Sequence, residues 1–403
     1  MKKKNKRIAM TVLGLTAAGG AVLAGDNNPQ DNGGGDWCRL LAEDLSAPFY
    51  SNDDAMLIQA MKIFGRAQVQ FASTDVDGVG GVDDSETFDE VRRLRLGAQL
   101  QVLKHFKVKA NANFIKDSRP KGGSRDYGYH SLDVALISFD AGALLGAGAL
   151  DGVNVSVGRH KVTMSHEVHT SSKKIKTVER SAVANKVYPS RLTGITARKA
   201  KGNFTGIFGV FSTESTPELA RDTGGLALYA SGALELGNGD KLIADFLHND
   251  AYGTADNEVG LYDWALALAY LTERNGWDLL LQGTIGDNGD DGAGERGGDF
   301  WGFVAMASRD LIADKLEAVA RYSYQGSDEA EGIATNSRYL RRKHDADVNG
   351  GRGDAHHSLY AGLNYFVCGH NAKIMSGVEW ESLDTAGGDM DALTLWLAFR
   401  SYF

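Results

Sequence analysis

Hydrophobic and polar residues alternate one by one over much of the chain, in short segments separated by polar links. Between residues 107 and 114, Val108, Ala110, Ala112 and Phe114 fall on one side of an extended chain, and lysines and asparagines fall on the other. A period of two residues predicts β-strands whose two faces lie in different surroundings, one apolar and one polar. Such segments begin near residues 58, 91, 107, 131, 153, 191, 203, 223, 240, 262, 276, 298, 314, 356, 371 and 391, which makes sixteen.

The links between these segments alternate in length. Short links lie at 103–106, 201–203, 237–240, 275–276 and 368–371. Long polar links lie at 73–90, 117–130, 162–190, 214–222, 250–261, 287–297, 326–355 and 382–390. Short turns at one end and long loops at the other are typical of a transmembrane β-barrel. The pattern predicts an all-β fold, a sixteen-stranded antiparallel transmembrane β-barrel over residues 56–403.

The N-terminus has the composition of an export signal. Positive residues between Lys2 and Arg7 precede an apolar run at 8–23, and Val22-Leu23-Ala24 has the spacing of a cleavage site. We therefore expect a signal peptide at 1–24 and a short periplasmic leader at 25–55. Loss of the signal peptide removes five positive charges, which takes the formal net charge from -9 to −14.

A soluble β-sandwich would show the same alternation, because each of its sheets also has one apolar face. The export signal, the alternating link lengths and the last segment favour the membrane barrel. In that segment Leu393, Leu395, Leu397 and Phe399 share one face, and the chain ends on the aromatic Phe403. This ending has the form of the C-terminal signal that outer-membrane assembly machinery reads, so we expect the cell outer membrane as the location.

If the apolar side faces lipid, the polar side lines the lumen. The early inward positions are basic and include Arg66, Arg93, Arg95, Lys107, Lys109 and Arg198. The later ones mix Arg321, Lys373 and Arg400 with Asp245, Glu317, Glu379 and Glu381. Residues 56–213 have a net charge of +9 and residues 214–403 a net charge of −17.

The total charge of the chain favours cations, whereas the basic residues of the early wall favour anions. The positions of these charges decide between the two. Loop charges in water are screened beyond about 8 Å, whereas rings of basic wall residues act on every ion that passes. The wall therefore predicts a preference for anions. The alternative is that the basic residues only form salt bridges that hold the barrel open.

The link at 162–190 is rich in cations, and a long loop after the fifth strand can fold inward and narrow a pore. It carries Lys173, Lys174, Lys176, Arg180 and Lys186 against Glu167 and Glu179. Around it lie the motifs G-R-H-K at 158–161, S-x-E at 165–167, T-S-S-K at 170–173 and E-R-S at 179–181. Elsewhere the chain has F-G-R at 64–66, R-R-x-R-L-G at 92–97 and G-H-x-x-K at 369–373. In their order and spacing, these motifs make the sequence resemble the phosphate-selective porin O and P family.

The resemblance implies a homotrimeric outer-membrane channel with a pore-constricting third loop. Its partners would be outer-membrane lipid and small anions such as phosphate, and it would need no cofactor, metal or nucleic acid. Carried over by motif, Arg92, Arg93 and Lys173 are the candidates for the constriction. The full candidate set for anion binding is Arg66, Arg92, Arg93, Arg95, Lys107, Lys109, Lys173, Lys174 and Lys176.

Two other functions remain open at this point. The acidic second half of the chain departs from an all-basic pathway, which leaves a general-diffusion porin without anion preference. A barrel that serves as a surface anchor or adhesin, with its function in the external loops, is the other alternative.

An enzyme is not expected. The sequence has no arrangement of serine, histidine and aspartate, or of cysteine and histidine, that predicts a nucleophile. His166, Glu167 and His169 form H-E-V-H, which lacks the i, i+4 histidine spacing of a zinc-binding helix. We therefore interpret this stretch as a polar loop cluster.

The chain has two cysteines, Cys38 in the leader and Cys368 in the turn before the fifteenth strand. Counting strands from a periplasmic N-terminus puts both on the same side of the membrane. Because the periplasm is oxidising, we expect a Cys38–Cys368 disulfide that attaches the leader to the barrel rim.

Overall fold

The computed structural model describes residues 36–79, 81–116, 126–214, 216–220, 225–250, 262–289, 296–335 and 349–403. The predicted signal peptide at 1–24 and the first part of the predicted leader, up to residue 35, lie outside these ranges. The same holds for parts of the predicted long links.

Sixteen long antiparallel strands form one closed sheet in the described residues, and each pairs with the next along the chain. They are β1 (Ile58–Gly78), β2 (Val82–Val102), β3 (Phe106–Ile115), β4 (Tyr127–Asp140), β5 (Val153–Lys161), β6 (Arg191–Lys201), β7 (Phe204–Ser212), β8 (Leu226–Gly237), β9 (Asp240–Asn249), β10 (Trp264–Arg274), β11 (Trp277–Asp287), β12 (Asp299–Ile312), β13 (Leu316–Ser327), β14 (Ala355–Phe366), β15 (Ala372–Thr385) and β16 (Gly388–Tyr402). Strand β16 pairs with β1 from Tyr402 opposite Arg66 to Asp391 opposite Asp77, which closes the barrel. The predicted sixteen-stranded barrel is confirmed.

The outer face of the barrel is apolar and the inner face is polar. On β16, Leu393, Leu395, Leu397 and Phe399 are 43–56% exposed, whereas Arg400 on the other face is 1% exposed. Buried polar side chains line the inside of many other strands. A soluble sandwich has the opposite arrangement, with its apolar faces packed together. Exposed leucines in this number are stable only against lipid.

Most turns at one end of the barrel are tight. Between β10 and β11, Asn275 and Gly276 both have positive φ, 53° and 75°. Two such residues form the hairpin turn whose twist matches that of the flanking strands. The connection 141–152 between β4 and β5 is longer and contains a helix, Ala141–Leu145, and a 3₁₀ turn, Gly148–Leu150.

At the other end, the predictions of long links at 73–90 and 382–390 are wrong. Strand β1 continues to Gly78 and β2 begins at Val82, and β15 and β16 run to a turn at 386–387. The two hairpins lie side by side, since Asp77 stands opposite both Asp83 and Asp391. Their outward residues here are polar, so the apolar face that identifies a lipid-facing strand is missing. The backbone pairing of these strands continues although the alternation of apolar and polar residues has stopped.

The remaining elements are short. Strand pairs Ile333–Ala334 and Arg352–Gly353, with the 3₁₀ turn Asn349–Gly351, lie between β13 and β14. Helices His166–His169 and Ala182–Lys186 lie between β5 and β6. Among the described residues, no helix is long and apolar enough to cross a membrane.

The leader is attached to the tight-turn end of the barrel at three points. Cys38, in the helix Asp36–Arg39 that continues as the π-turn Leu40–Asp44, forms the predicted disulfide with Cys368. The Asn371 side chain donates to the carbonyl of Leu41 at 3.3 Å. Tyr50–Ser51 pairs as a short strand with the start of β1.

We expect a Cys38→Ser variant, or the reduced protein, to lose the first of these attachments and to expose the leader to proteolysis. The barrel should stay folded, because its ladder closes without the leader. Limited trypsin digestion followed by mass spectrometry should show cleavage at Arg39 that the oxidised protein resists. Cys368→Ser is the matched control and should behave in the same way; a leader that stays protected in both variants would contradict the attachment.

Candidate functional site

The segment between β5 and β6, which we call the inner loop (162–190), folds into the barrel. Val162, Met164, Val168, Val178 and Val187 are at most 1% exposed. An apolar cluster packs its two ends against inward residues of β6–β10, β12, β15, β16 and β1. A second cluster packs the middle of the loop against β14, β15 and β16. The inner loop therefore crosses the lumen, as predicted for a loop at this position.

Arg321 on β13 holds the inner loop in place. Its Nη1 donates to Glu167 Oε1 at 3.0 Å, to Thr177 Oγ1 at 3.0 Å and to the carbonyl of Glu179 at 2.9 Å. Its Nη2 donates to Glu379 Oε1 on β15 at 2.9 Å. One fully buried guanidinium thus joins two parts of the inner loop to two strands of the wall.

Two further cations of the wall bind carbonyl groups of the inner loop. Arg400 donates to the carbonyl of Ser172 at 3.0 Å and to that of Val178. Lys373 donates to the carbonyl of Ile175 at 2.7 Å. These loop carbonyls lie far from bulk water and would otherwise lack donors. The basic residues of the later strands therefore fix the inner loop rather than contribute free charge.

The acidic residues that the sequence predicts on the later strands are also bonded. Asp245 accepts from His169 and from the backbone of Ser165, Glu317 from Lys176 and Asn364, Glu379 from Arg321 and Ser358, and Glu381 from His356 and Thr335. These inward carboxylates of the later strands are thus all hydrogen-bonded, and two of them, Glu317 and Glu379, pair with a lysine or an arginine.

A β-bulge places both Arg92 and Arg93 at the inner loop. The register of β1 and β2 shifts between Gln68 and Val69, and Arg92 is the extra residue of β2. Arg92 Nε lies 2.6 Å from Glu179 Oε1, and Arg93 Nη1 donates to Gln68 Oε1 at 2.7 Å. Strict alternation would turn one of two consecutive arginines towards lipid, and the bulge avoids this.

Asp133 is an acidic member of the site that the sequence reasoning missed. A second register shift, between Asn111 and Ala112 of β3, makes Asp133 the extra residue of β4. Its Oδ1 lies 2.8 Å from Arg95 Nη1 and 2.6 Å from Arg191 Nε. Counting alternate positions along β4 puts Asp133 on the lipid side, so only the bulge reveals its position.

A group of cations without carboxylate partners lies near the tight-turn end, and we call it the lysine group: Lys62 on β1, Lys107 and Lys109 on β3, and Lys173 on the inner loop. Lys62 and Lys109 both stand opposite Gln99 of β2. Lys109 Nζ lies 5.1 Å from the centre of the Phe64 ring, and Lys173 Nζ lies 4.0 Å from that of Tyr402. Among the described residues, none of these lysines forms an ion pair.

The surroundings of Lys173 and Lys176 differ although both belong to the inner loop. Burial, together with the positive charges of Arg66, Lys109 and Lys62, lowers the pKa of Lys173 to about 8. Burial also disfavours the charge on Lys176, but the nearby carboxylates of Glu317 and Asp278 raise its pKa above the ordinary value. Lys176 is thus a bound structural cation, and Lys173 is the one held among like charges.

The structure divides the nine predicted residues into two groups. Arg92, Arg95 and Lys176 form ion pairs, and Arg93 is bonded to Gln68. The remaining five, Arg66, Lys107, Lys109, Lys173 and Lys174, have no carboxylate partner in the described part of the chain. Arg66 bonds to the hydroxyl of Ser172 at 2.7 Å. Lys62 joins this second group, and the sequence reasoning did not select it.

The H-E-V-H stretch is dispersed among separate partners. His169 bonds to Asp245, Glu167 accepts from Ser181 and Arg321, and the backbone of His166 donates to Gln282. Each side chain or backbone group points to a different part of the wall. The stretch connects the inner loop to the barrel.

A closed barrel with a lipid-facing outside, a polar inside and an inward loop defines an outer-membrane porin. The family model for phosphate-selective porin O and P matches residues 61–262, and the chain belongs to this family. The family and the fold place the protein in the outer membrane, as a channel rather than an enzyme. A sequence comparison with curated proteins finds no match.

Several solved structures share the fold at low sequence identity. OprB of Pseudomonas putida is 10% identical with a TM-score of 0.56, over 85% of this chain and 94% of that one. An anion-selective porin from Comamonas acidovorans is 12% identical with a TM-score of 0.55, over 85% and 99%. A trimer form of OmpT from Vibrio cholerae is 10% identical with a TM-score of 0.52, over 85% and 99%.

We expect an Arg321→Gln variant to release the inner loop, because the buried carboxylates of Glu167 and Glu379 then lose their arginine partner and a loop carbonyl loses its donor. Removing one partner of a buried pair costs about 3–5 kcal/mol, so the folded barrel should melt at lower temperature. Single-channel recordings should show a larger and noisier conductance. Arg296→Gln, which removes an exposed ion pair with Glu331, is the matched control. An unchanged conductance in Arg321→Gln would mean that the inner loop does not need this arginine.

Proposed function

We propose that this protein is a passive outer-membrane porin that favours small anions, with phosphate among its solutes. The observation that carries the proposal is the lysine group together with Arg66. These cations face the lumen without carboxylate partners among the described residues, whereas the inward carboxylates of the later strands are bonded. The local excess of charge at the narrowed part of the lumen is positive.

The route for ions lies beside β3. The inner loop bonds to inward residues of β1, β2, β8, β9 and β11–β16, among other strands. No described hydrogen bond connects it to the inward polar residues of β3. Lys107 and Lys109 belong to that strand, and Lys173 faces them from the loop. A solute that passes between the loop and β3 therefore meets positive charge from both sides.

Position matters more than the total charge of −14 on the mature chain. At an effective dielectric constant near 20, a unit charge about 8 Å away contributes on the order of 2 kcal/mol, and less in a wet pore. Charges in water-exposed loops are screened beyond about 8 Å in physiological salt. The local cations therefore dominate ion selection.

The chemistry of these side chains suits phosphate. Lysine ammonium groups act as mobile point charges, and the guanidinium of Arg66 offers paired donors to phosphate oxygens. These side chains do not form a closed binding site, so a bound phosphate would exchange quickly rather than be retained. We also propose a homotrimer, the arrangement in the trimer form of OmpT and the one that the family resemblance implies.

The deciding experiment is the reversal potential of the purified protein in a planar bilayer under a KCl gradient, followed by addition of phosphate. We expect a potential of the sign that chloride preference gives, and a chloride current that phosphate reduces at millimolar concentration. A potential near zero would indicate a general-diffusion porin. The absence of stepwise current would indicate an anchor and overturn the proposal.

Charge reversal at Lys173 tests the assignment directly. We expect Lys173→Glu to lower the permeability ratio of chloride to potassium by at least roughly fivefold, because charge reversal shifts the relative free energy of the two ions by about 1 kcal/mol or more. Lys116→Glu, at the far end of β3, is the control for net charge. Equal effects from the two variants, measured as reversal potentials, would remove Lys173 from the constriction.

The lowered pKa of Lys173 predicts a pH dependence. Below pH 8 its ammonium is charged, and as the pH rises through about 8 that charge is lost. The groups around it, Arg66 and Lys62 from β1, Lys109 from β3 and Tyr402 from β16, are shared by all variants. Anion preference should therefore fall between pH 7 and pH 9 in the natural protein and stay constant in Lys173→Arg. An identical decline in both proteins would assign the titration to another group.

A further inference from the structure

A groove runs along the lipid-facing wall from β10 to β14. Its volume is about 470 Å³, within the range of about 300–1,000 Å³ that is usual for small-molecule sites. Small side chains form its floor, at Ala305 and Ala307 of β12 and Ala320 of β13. Leu279 and Leu281 border it on one side, and Tyr322 and Leu359 on the other. It is one of several depressions in the lipid-facing wall, and it is wide enough for an acyl chain.

A cation marks one end of the groove. Arg309 is two residues beyond Ala307 on the same face of β12, and it stands opposite Ala318 of β13. Its guanidinium carbon lies 5.6 Å from the centre of the ring of Trp277, and both side chains are exposed. No carboxylate in the described part of the chain pairs with Arg309.

The position of Arg309 along β12 indicates which leaflet of the bilayer it contacts. It lies three residues before the end of β12, beside the tight turn 313–315. Tight turns of outer-membrane barrels face the periplasm, so Arg309 and Trp277 lie at the periplasmic boundary of the hydrocarbon. An arginine and a tryptophan at this depth meet the headgroup layer, and the charge that complements the arginine there is a phosphate.

We propose that this groove binds one glycerophospholipid of the periplasmic leaflet, with its phosphate on Arg309 and an acyl chain over the alanine floor. Continuity supports this occupant, since the groove belongs to the lipid-facing band and opens onto it. The guanidinium offers paired donors to the phosphate oxygens, and the leucines and tyrosine on the groove's borders contact the chain. This site is independent of the ion preference proposed for the lumen.

Native mass spectrometry of the full protein in detergent tests the proposal, with dioleoyl phosphatidylglycerol as the probe and dioleoylglycerol, which lacks the phosphate, as its control. We expect the phospholipid to stay bound at energies that remove the diacylglycerol. Arg309→Gln should weaken phospholipid binding about tenfold, the effect of losing a hydrogen bond to a charged group. Arg274→Gln, at the same rim but paired with Asp240 at 2.8 Å, should leave binding unchanged.

A second variant tests the groove itself. Ala307→Leu should fill the floor and weaken binding, whereas Ala230→Leu, at an exposed outward position on β8, should not. Retention of a heat-modifiable band on a gel shows that each variant is folded. Equal retention of both lipids, or no effect of Arg309→Gln, would overturn the proposal. So would a change of oligomeric state in Ala307→Leu, because a second copy of the chain would then occupy the groove.

Discussion

The structure depends on closure of the backbone hydrogen-bond ladder between the first and last strands. Inside a bilayer no water is present to satisfy an open sheet edge, and each unsatisfied group costs several kcal/mol. The pairing of β16 with β1 over residues 391–402 removes both edges at once. Once the ladder is closed, the alternation of side chains sends apolar residues to lipid and polar residues to the lumen.

Closure creates a second requirement, because the lumen must be filled or bordered without leaving buried charges alone. The inner loop meets it. Arg321, Arg400 and Lys373 donate to the loop's carbonyls and carboxylates, and Glu317 and Asp245 accept from its cations and backbone. Cations and carboxylates from both halves of the chain are therefore joined in one network. What the network does not neutralise is the lysine group beside β3.

The strand count and the polarity of both faces followed from the sequence, but two hairpins and the site residues Asp133 and Lys62 did not. The links at 73–90 and 382–390 were expected to be loops because their outward residues are polar. Those hairpins need no apolar face, and backbone pairing alone maintains them. Asp133 lies inside because of a bulge, and a bulge inserts one residue without a change in composition. Arg92 was recovered only through the motif R-R-x-R-L-G, since simple alternation misplaces one of the two arginines.

The sequence by itself determined the barrel, its number of strands, the inward loop, the family and the pairing of the two cysteines. Each of these depends on a local period, a motif or a count of strands, and such features can be read directly from the linear sequence. Only the tertiary structure decided which cations are neutralised. Lys176 and Lys173 are three residues apart and chemically identical, yet one lies against Glu317 and Asp278 and the other against Tyr402 among like charges. Their partners come from strands more than 100 residues away, and only the folded barrel brings those strands to the loop.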